Sequence, residues 1–533
     1  MQFDSDVIRQ LAEFLTPRSL LILSATTPTM RKLLQTNVRR VSTSSAGPFA
    51  SYTGLREATF TKQSNKYPPN LTRLDVSKIS NFNLESVPAG ILDLSIHEFM
   101  TNGVAIESTN RLSRLASMPL VRLSVSRLAN MSSVSKMTTL ESLTIGHLSS
   151  CFDRAFPIPQ SLTELNVRLS GGAFTLIRNE DIWNGLPQGL MKLKLHVYSP
   201  GPMKFTARNL PKSLTYLSLS GPDLSFAAKK NDSFNHGLKV LKLGSNFERK
   251  GKMFDVKMIP SSVTKFVLMR NRQISNVAML PKNLLHFHTG CDVTDEMLQS
   301  IPSGIRFLAV DAGFIGAAVR DILLPSCLAR LSNLTKLQFD AMFYKIDQDF
   351  VDILPLTLTS LKYVDAMHVD FGRLTVLKSL LIHDAGFVKF PQNLVSLSVV
   401  TLSRSILPGK LRKLRVTRET LTVNGSNKMR ALKRLPKSIT SLELNQLFVD
   451  IDARVDGGVR QLKNQIGTLK VGRIARYGGR NHGDEPMQAS NIMPRLFPVL
   501  ENYKMTTAGS DPVCSPLMLQ WSGIIPCHRR WRY

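Results

Sequence analysis

A block of ten residues that recurs along the chain constrains its fold more than any other feature. LPKSLTYLSL at 210–219 returns as LPKSITSLEL at 435–444 and, more loosely, as LPKNLLHFHT at 280–289. If the first leucine of the LxxLxL core is taken as an anchor, 18 such units follow one another at spacings of 17 to 29 residues. The anchors are Leu71, Ile91, Leu120, Leu140, Leu162, Leu190, Leu214, Leu238, Val263, Leu284, Ile305, Leu334, Leu358, Leu377, Leu394, Leu411, Ile439 and Ile466. A chain of 533 residues with this periodicity is predicted to form one stacked repeat body.

Two further positions in each unit are apolar. The third residue after the anchor is leucine except at Phe266 and Phe287, and the fifth is apolar except at Thr289. This alternation predicts a short strand with one buried face, and such strands must stack because none can bury its own face. Twelve units also place a proline three residues before the anchor, which suits a bend into a strand because proline fixes φ and lacks an N–H.

The length of the units indicates what connects the strands. Units of 17 to 25 residues leave little room for a full helix, whereas the longer ones have room, and 110–118, 319–331 and 457–466 are predicted to be helical or partly helical. A weaker unit at 55–60 is expected to precede the first anchor. The pattern therefore predicts a solenoid with a lining of parallel strands and an irregular outer side.

This pattern resembles the leucine-rich-repeat superfamily over 55–475, and its proline-led form is similar to FNIP-type and LPX repeats. The resemblance implies an α/β solenoid, curved, with a parallel β-sheet on the concave face and a short helical or irregular convex side. Leucine-rich repeats usually have an asparagine eight residues after the anchor. Several units of this chain have an apolar side chain at that position instead, so we expect packing to hold the turn there. These positions are Ile79, Phe99, Leu128, Leu148, Leu402, Leu447 and Ile474.

The N-terminal segment, 1–40, differs from the repeats. Its apolar residues recur at helical spacing broken at Pro17, which predicts two or three short helices. The segment resembles an F-box, and the resemblance implies docking on a Skp1-type adaptor of a cullin ubiquitin ligase. The implied docking residues are Val7, Ile8, Leu11, Phe14, Leu15, Pro17, Leu20 and Leu23. A second interpretation is that the helices only cap the first coil of the solenoid.

Three other segments complete the predicted organisation. Residues 41–54 include STSSAGPFAS and have the composition of a linker, 55–475 form the solenoid, and 476–533, which have lost the repeat, form a C-terminal cap or tail.

Positive charge is the second informative property of the chain. The formal net charge is +29, from 68 lysines and arginines against 39 acidic residues, and eleven bases against one acid lie between Arg404 and Lys437. Such clusters attract anionic partners, either an acidic protein or a nucleic acid, although many of these charges also fit a simply solvated face. A scarcity of exposed aromatics on the lining disfavours nucleic acid. The candidate partner-binding residues are Lys194, Lys242, Lys362, Arg412, Lys413, Arg415 and Lys470.

Other kinds of site have little support in the sequence. Five scattered cysteines without a CxxC pair fit neither a disulfide framework nor a zinc cluster, and no phosphate-loop, GxSxG or HExxH motif occurs. His286 and His288 are predicted to share a strand face, but two isolated histidines predict surface residues more than a metal site. We expect no catalytic residue, no metal and no cofactor. The absence of a signal peptide and of a long apolar run predicts an intracellular protein, cytoplasmic or nuclear, without membrane contact.

Two hypotheses of function follow from these observations. The first is an F-box-like adaptor in which the N-terminal helices recruit ubiquitination machinery and the repeats select a target. The alternative is a non-catalytic scaffold that binds an anionic macromolecule, with the helices acting only as a cap. An enzyme is a third class, and the sequence supports it least.

Overall fold

The computed structural model describes the greater part of the repeats and part of each end of the chain. The described residues are 10, 15–43, 45–64, 66–79, 84–98, 100–101, 104–105, 114–128, 134–148, 158–169, 185–198, 203–205, 207–221, 224–226, 233–244, 254–269, 274–290, 295–311, 324–340, 344–366, 368–384, 387–402, 406–422, 435–449, 468–476 and 502–505. They belong to two compact units, Met1–Ile305 and Arg306–Tyr533.

The first unit is built on a sheet in which every described pairing is parallel. Its strands run in the order β1-β2-β3-β4-β7-β8-β9-β10-β12-β14-β16-β18. Their bounds are β1 Arg40–Thr43, β2 Glu57–Phe60, β3 Arg73–Val76, β4 Asp93–Glu98, β7 Arg122–Arg127, β8 Ser142–Leu148, β9 Glu164–Leu169, β10 Lys192–Val197, β12 Tyr216–Ser220, β14 Val240–Leu243, β16 Lys265–Leu268 and β18 His286–Thr289.

Short elements connect these strands. The two-stranded pairs are β5 Met100–Thr101 with β6 Val104–Ala105, β11 Met203–Phe205 with β13 Leu224–Phe226, and β15 Phe254–Asp255 with β17 Ile274–Ser275. Single 3₁₀ turns span Gly47–Phe49, Leu84–Ser86, Val134–Lys136, Ala207–Asn209, Val256–Met258 and Val277–Met279. The α-helices of this unit are α1 Pro17–Thr26, α2 Pro28–Asn37 and α3 Asp295–Ser300.

The second unit repeats the same design. Parallel strands run in the order β19-β20-β22-β23-β24-β25-β26-β27-β28, and β21 also pairs with β22. The strands are β19 Phe307–Asp311, β20 Lys336–Asp340, β21 Tyr344–Ile346, β22 Ser360–Ala366, β23 Ser379–Asp384, β24 Ser396–Thr401, β25 Lys413–Thr422, β26 Ser441–Val449, β27 Thr468–Arg476 and β28 Asn502–Met505. The helices are α4 Leu324–Arg330 and α5 Gln348–Ile353.

The predicted parallel solenoid is confirmed, and its apolar spine lies where the repeat pattern placed it. All seventeen anchors from Leu71 to Ile439 are at most 1 % exposed, and the leucine or phenylalanine three residues later is buried in each of those units. Thr289, the polar exception five residues after an anchor, is also fully buried. Buried Ala58 and Phe60 in β2 confirm the weak unit at 55–60.

The prolines close the turn that leads into each strand. In eleven of the twelve proline-led units the anchor N–H donates to the proline carbonyl across 3.0–3.4 Å, as in Leu214 N to Pro211 O at 3.1 Å. Proline fits this position because the turn uses its carbonyl and does not require its missing N–H.

A row of hydroxyls joins neighbouring coils, and the sequence analysis missed it. The serine or threonine just before the anchor donates to the anchor carbonyl of the preceding coil across 2.6–2.9 Å. The donors of this hydroxyl ladder are Thr139, Ser161, Ser213, Ser262, Thr357 and Ser438. Each bond satisfies a carbonyl between stacked coils, so it contributes where an asparagine ladder is absent. The serine that recurs just before the anchor in LPKSL and IPSSV is the sequence feature from which this hydroxyl ladder could have been predicted.

Residues at the asparagine position are buried as expected. Ile79, Leu128, Leu148 and Leu402 are at most 5 % exposed, in agreement with a turn held by packing. The side chains of Phe99, Leu447 and Ile474 lie outside the described residues.

The structure differs from the linker predicted at 41–54. Residues 40–43 form β1, which pairs in register with β2, and Val41, Phe49 and Tyr52 are buried. The rings of Phe49 and Tyr52 meet edge-on at 5.1 Å. The linker prediction is wrong because it relied on composition. Small polar residues dominate this segment, whereas a few apolar side chains are enough to complete a coil.

Helices on the return side agree only in part with expectation. The helix predicted within 319–331 is present as α4, and 114–117 is helical within 110–118, whereas 457–466 lies outside the described residues. The short helices α3 and α5 were not predicted. Asp347 caps α5 by accepting the N–H of Phe350 at 2.8 Å, and that capping residue was the available signal.

We expect the replacement Ser213→Ala to lower the free energy of unfolding by about 1–2 kcal/mol, because the Ser213 hydroxyl lies 2.7 Å from the carbonyls of both Gln188 and Leu190. Ser218→Ala removes the same atom from the exposed face and is expected to change stability by less than about 0.5 kcal/mol. Urea denaturation followed by circular dichroism compares the two variants. Equal effects would show that the hydroxyl ladder does not stabilise the stack.

Candidate binding face

Side chains that point away from the apolar spine form the candidate site on the first unit. Because strand side chains alternate, the second and fourth residues after each anchor lie on the exposed face of the sheet, in rows that cross the strands. On β1 to β7 the second-residue row alternates in sign. Its members are Arg40, Glu57, Arg73, Asp93 and Arg122.

Every member of this alternating row is paired with an oppositely charged neighbour, which leaves a net charge of +1 over three arginines and two acids. Arg40 Nε donates to Glu57 at 2.7 Å, and Asp93 accepts from Arg73 at 3.1 Å and from Arg122 at 3.2 Å. Opposite charges directly across a strand pair stabilise the sheet by tenths of a kcal/mol, to about 1 kcal/mol each. The charged side chains in this row of β1 to β7 therefore form ion pairs with one another.

The pattern changes at β10, where lysines gather around one tyrosine. The Nζ atoms of Lys192, Lys194 and Lys242 lie 5.9, 5.7 and 5.5 Å from the ring centroid of Tyr216. We name these four residues the Tyr216 cluster. Lys192 pairs with Glu164 at 3.3 Å, whereas neither Lys194 nor Lys242 has a carboxylate within ion-pair distance among the described residues. The cluster therefore presents uncompensated positive charge.

Strand register explains how residues from three coils meet. Lys192 lies directly opposite Tyr216, which lies opposite Val240, while Lys194, Ser218 and Lys242 form the next row. Lys194 and Lys242 thus flank the tyrosine diagonally on either side, a separation that long side chains span. An ammonium over an aromatic face gains roughly 0.5–1 kcal/mol at an exposed site.

A shallow polar depression adjoins the cluster on β8, β9 and β10. It has a volume of about 80 Å³. The residues that line it are Ser142, Leu143, Thr144, Glu164, Leu165, Asn166, Lys192 and Lys194. Its six outward side chains form a grid of two rows, because Ser142, Glu164 and Lys192 are in register, as are Thr144, Asn166 and Lys194. We name this feature the β8–β10 depression.

Two neighbouring groups report the local electrostatics. Burial and the nearby charge of Lys242 lower the pKa of Lys265, and burial together with Arg168 lowers the pKa of His196. His196 also makes a short hydrogen bond with Ser220. At β16 and β18 the outward residues Val267 and His288 are buried, so the open face ends there.

The structure places the remaining predicted partner-binding residues on the second unit. Lys413 is exposed on β25 and Arg415 follows on the same face, paired with Glu443 at 3.1 Å. Lys362 lies on β22, and Arg412 is exposed at the turn before β25. Lys470 is in register with Glu443 on β27. Of the seven candidates, the structure therefore brings Lys194 and Lys242 together around Tyr216, and it sets Arg415 and Lys470 in register on either side of Glu443.

Both N-terminal helices begin with the same signal, a threonine followed by proline. Thr16 and Thr27 cap α1 and α2 by accepting the N–H groups of Ser19 and Met30. Proline at the first helical position costs no hydrogen bond. The short helices predicted for this segment are confirmed.

These helices pack on the first coil. Gly54 N donates to the Gln35 carbonyl at 2.9 Å, and a side chain at Gly54 would collide with the carbonyl of Thr36, so the coil approaches the end of α2 closely. Among the implied docking residues Leu20 is 1 % exposed and offers no surface to a partner. Leu15, Pro17 and Leu23 are partly exposed. Val7, Ile8, Leu11 and Phe14 lie outside the described residues.

The structure also locates the candidate ligands for a metal and the buried thiol. His286 is half-buried and His288 is 7 % exposed, and no described group of three histidine, cysteine or acidic side chains could hold a metal ion. Burial raises the pKa of Cys327 to about 11, so this thiol is unreactive at neutral pH. Over the described part of the chain, no helix has the length and apolarity needed to cross a bilayer.

Comparison with known proteins finds likeness of fold only. No protein-family model matches the sequence, and no curated protein sequence matches it. A solved structure of CroV588, a circular leucine-rich-repeat protein, is 16 % identical with a TM-score of 0.41, covering 89 % of this chain and 76 % of that one. TLR13 in complex with ssRNA13 is 16 % identical with a TM-score of 0.45, covering 83 % and 72 %. At these values neither likeness bears on what this chain binds.

We expect His196 to make the first unit less stable in acid. Unfolding restores the ordinary histidine pKa of 6.5, so the unfolded chain binds a proton more readily, and stability falls as the pH drops through 6.5 toward the lower folded pKa. His196→Gln keeps a polar side chain but does not titrate. Urea midpoints at pH about 7.5 and about 5.5 should therefore differ less in this variant. An unchanged pH dependence would show that His196 does not titrate with a lowered pKa.

Proposed function

We propose that this chain is a binding scaffold that holds an acidic segment of a protein partner against the exposed face of β8 to β14. The observation that carries the proposal is the convergence of Lys192, Lys194 and Lys242 on Tyr216, with only Lys192 paired to a carboxylate. Like charges held together repel one another, so an anionic partner relieves a cost that the free protein bears.

The scaffold suits this role because its face is already organised. The strands that carry the cluster are fixed by fully buried neighbours such as Leu193, Leu217 and Leu241, so little backbone freedom is lost on binding. The proposal assigns no catalysis to the chain. On the second unit, Lys362, Lys413 and Arg415, with Arg412 and Lys470, are proposed as separate contacts for the same class of partner.

An acidic protein is favoured over a nucleic acid on chemical grounds. Single-stranded nucleic acid is held by successive aromatic platforms as well as by positive charge. In the second-residue row, the neighbours of Tyr216 are Lys192 and Val240, and the Tyr216 ring already lies near three ammoniums. Within this row, Tyr216 therefore has no aromatic neighbour that would continue a stacking platform.

The double substitution Lys194→Met with Lys242→Met is expected to weaken binding of an acidic peptide by about tenfold, because two ammoniums near the ligand are removed while their apolar stems are kept. Raising salt from about 0.05 M to about 0.5 M should weaken the wild-type complex by a similar factor. Fluorescence anisotropy with labelled poly-glutamate measures both effects on the full chain.

Lys212→Met with Lys282→Met is the matched control, since both are exposed lysines of the same unit, in the turns before β12 and β18, and the pair removes the same two charges. This variant should bind like the wild type. Equal losses in both variants would mean that only net charge matters. If a single-stranded oligonucleotide binds more tightly than the peptide, the partner is a nucleic acid and not an acidic protein.

A second candidate function is adaptor docking by the N-terminal helices, in an intracellular ubiquitin-ligase assembly. Ile22 on α1 favours it, since this large apolar side chain is 59 % exposed in the segment that resembles an F-box. Leu15, Pro17 and Leu23 would contribute beside it, whereas the buried Leu20 would support the helix from within.

Ile22→Asp is expected to abolish retention of a Skp1-type adaptor by the full-length chain, because it replaces the exposed large apolar side chain of α1 by a charge. Thr29→Asp is the control, because it places the same charge at an exposed position of α2 outside the implied docking residues, and it should retain the adaptor. Pull-down of the purified adaptor tests both. If the wild-type chain retains no adaptor, α1 and α2 serve only as a cap.

A further inference from the structure

The β8–β10 depression differs chemically from the rest of the charged face. Two of its lining side chains are lysines, and three more are short donors that leave room between the rows: Ser142, Thr144 and Asn166. Glu164 is its one described carboxylate, and this group is already paired with Lys192. The depression thus combines hydroxyl and amide donors with ammonium groups at its β10 edge.

Its size suits a small group. The depression is partly open to solvent, and the space of about 80 Å³ within it accommodates several water molecules or one tetrahedral group. Lys194 belongs to both the depression and the Tyr216 cluster, so a group seated here also lies beside the charges of the cluster.

We infer that this depression binds a phosphate monoester on the protein partner, so that recognition of the acidic segment depends on its phosphorylation. The inference rests on the proposed function and deepens it. A phosphorylated side chain carries nearly two negative charges and three strong acceptor oxygens. Lys194 and the more distant Lys242 match the charge, while the hydroxyls of Ser142 and Thr144 match the oxygens. A carboxylate has one negative charge and two oxygens, so it would leave some of these donors and positive charges without a partner atom.

The charged neighbours agree with this assignment. On one side of the depression, Arg122 lies directly opposite Ser142 but is paired with Asp93 at 3.2 Å. On the other side, burial and the charge of Lys242 lower the pKa of Lys265, so positive charge is crowded toward β14 and β16. A phosphate dianion offsets that repulsion more fully than a monoanion does. Glu164 is paired with Lys192 at 3.3 Å, which reduces its repulsion of a phosphate group.

The test compares two randomised libraries of short acidic peptides that differ only in a central residue, serine or phosphoserine. Binding to the immobilised full chain is measured for each library, and the captured peptides are then titrated individually. Phosphoserine peptides are expected to bind about tenfold or more tightly than their serine counterparts. Free O-phosphoserine should compete with them.

The variant that isolates the depression is Ser142→Ala with Thr144→Val, which removes two hydroxyl donors and no charge. It should lose the preference for phosphoserine while binding the serine peptides as the wild type does. Ser218→Ala is the control, because it removes a hydroxyl from the same face outside the depression, and thermal denaturation confirms that each variant is folded.

Each other outcome has a defined meaning. Equal, salt-sensitive binding of both libraries overturns the phosphate site and leaves the acidic-partner function standing. A preference that survives in the Ser142→Ala, Thr144→Val variant overturns the placement in this depression. Failure of both libraries to bind overturns the proposed function itself. Displacement of phosphopeptides by a tighter-binding single-stranded oligonucleotide assigns the phosphate site to nucleic acid.

Discussion

Burial of leucine side chains between successive coils is the interaction on which the rest of this structure depends. Each coil contributes an anchor and two following apolar residues, as Leu214, Leu217 and Leu219 do, and all three are at most 1 % exposed. No coil can shield these side chains by itself, so neighbouring coils stabilise one another and every described strand in the main sheets runs parallel to its neighbours. A proline carbonyl closes the turn before most strands, and a hydroxyl ladder satisfies carbonyls between them.

The same stacking produces the candidate binding face. When an anchor is fixed inside, the second and fourth residues after it must point outward, and parallel register brings those residues from successive coils side by side. Tyr216 therefore meets lysines from the coils before and after it without any long loop to position them. A substitution at an outward position of one unit changes one side chain on this surface and leaves the neighbouring side chains in place.

Charge on this face serves two different ends. On β1 to β7 the bases and acids alternate and pair across strands, which stabilises the sheet. On β10 to β18 the described outward positions of the second and fourth rows hold lysines but no acids, so positive charge there is compensated less within the face. At the N-terminal end, the close approach of Gly54 to α2 joins the helices to the first coil, while Ile22 on α1 remains exposed.

The repeat spacing alone determined the architecture, because a strand that alternates from Leu217 to Leu219 has one stable way to bury its apolar face. It also determined that Lys194 and Lys242 point outward, since the side-chain period is two. Only the tertiary structure decided which outward residues meet, because coils of 17 to 29 residues place distant positions in register. It also decided that Ser213 bridges coils, that Phe49 and Tyr52 complete a first coil and that Leu20 is buried. Each of these outcomes depends on neighbours in space that composition and spacing do not specify.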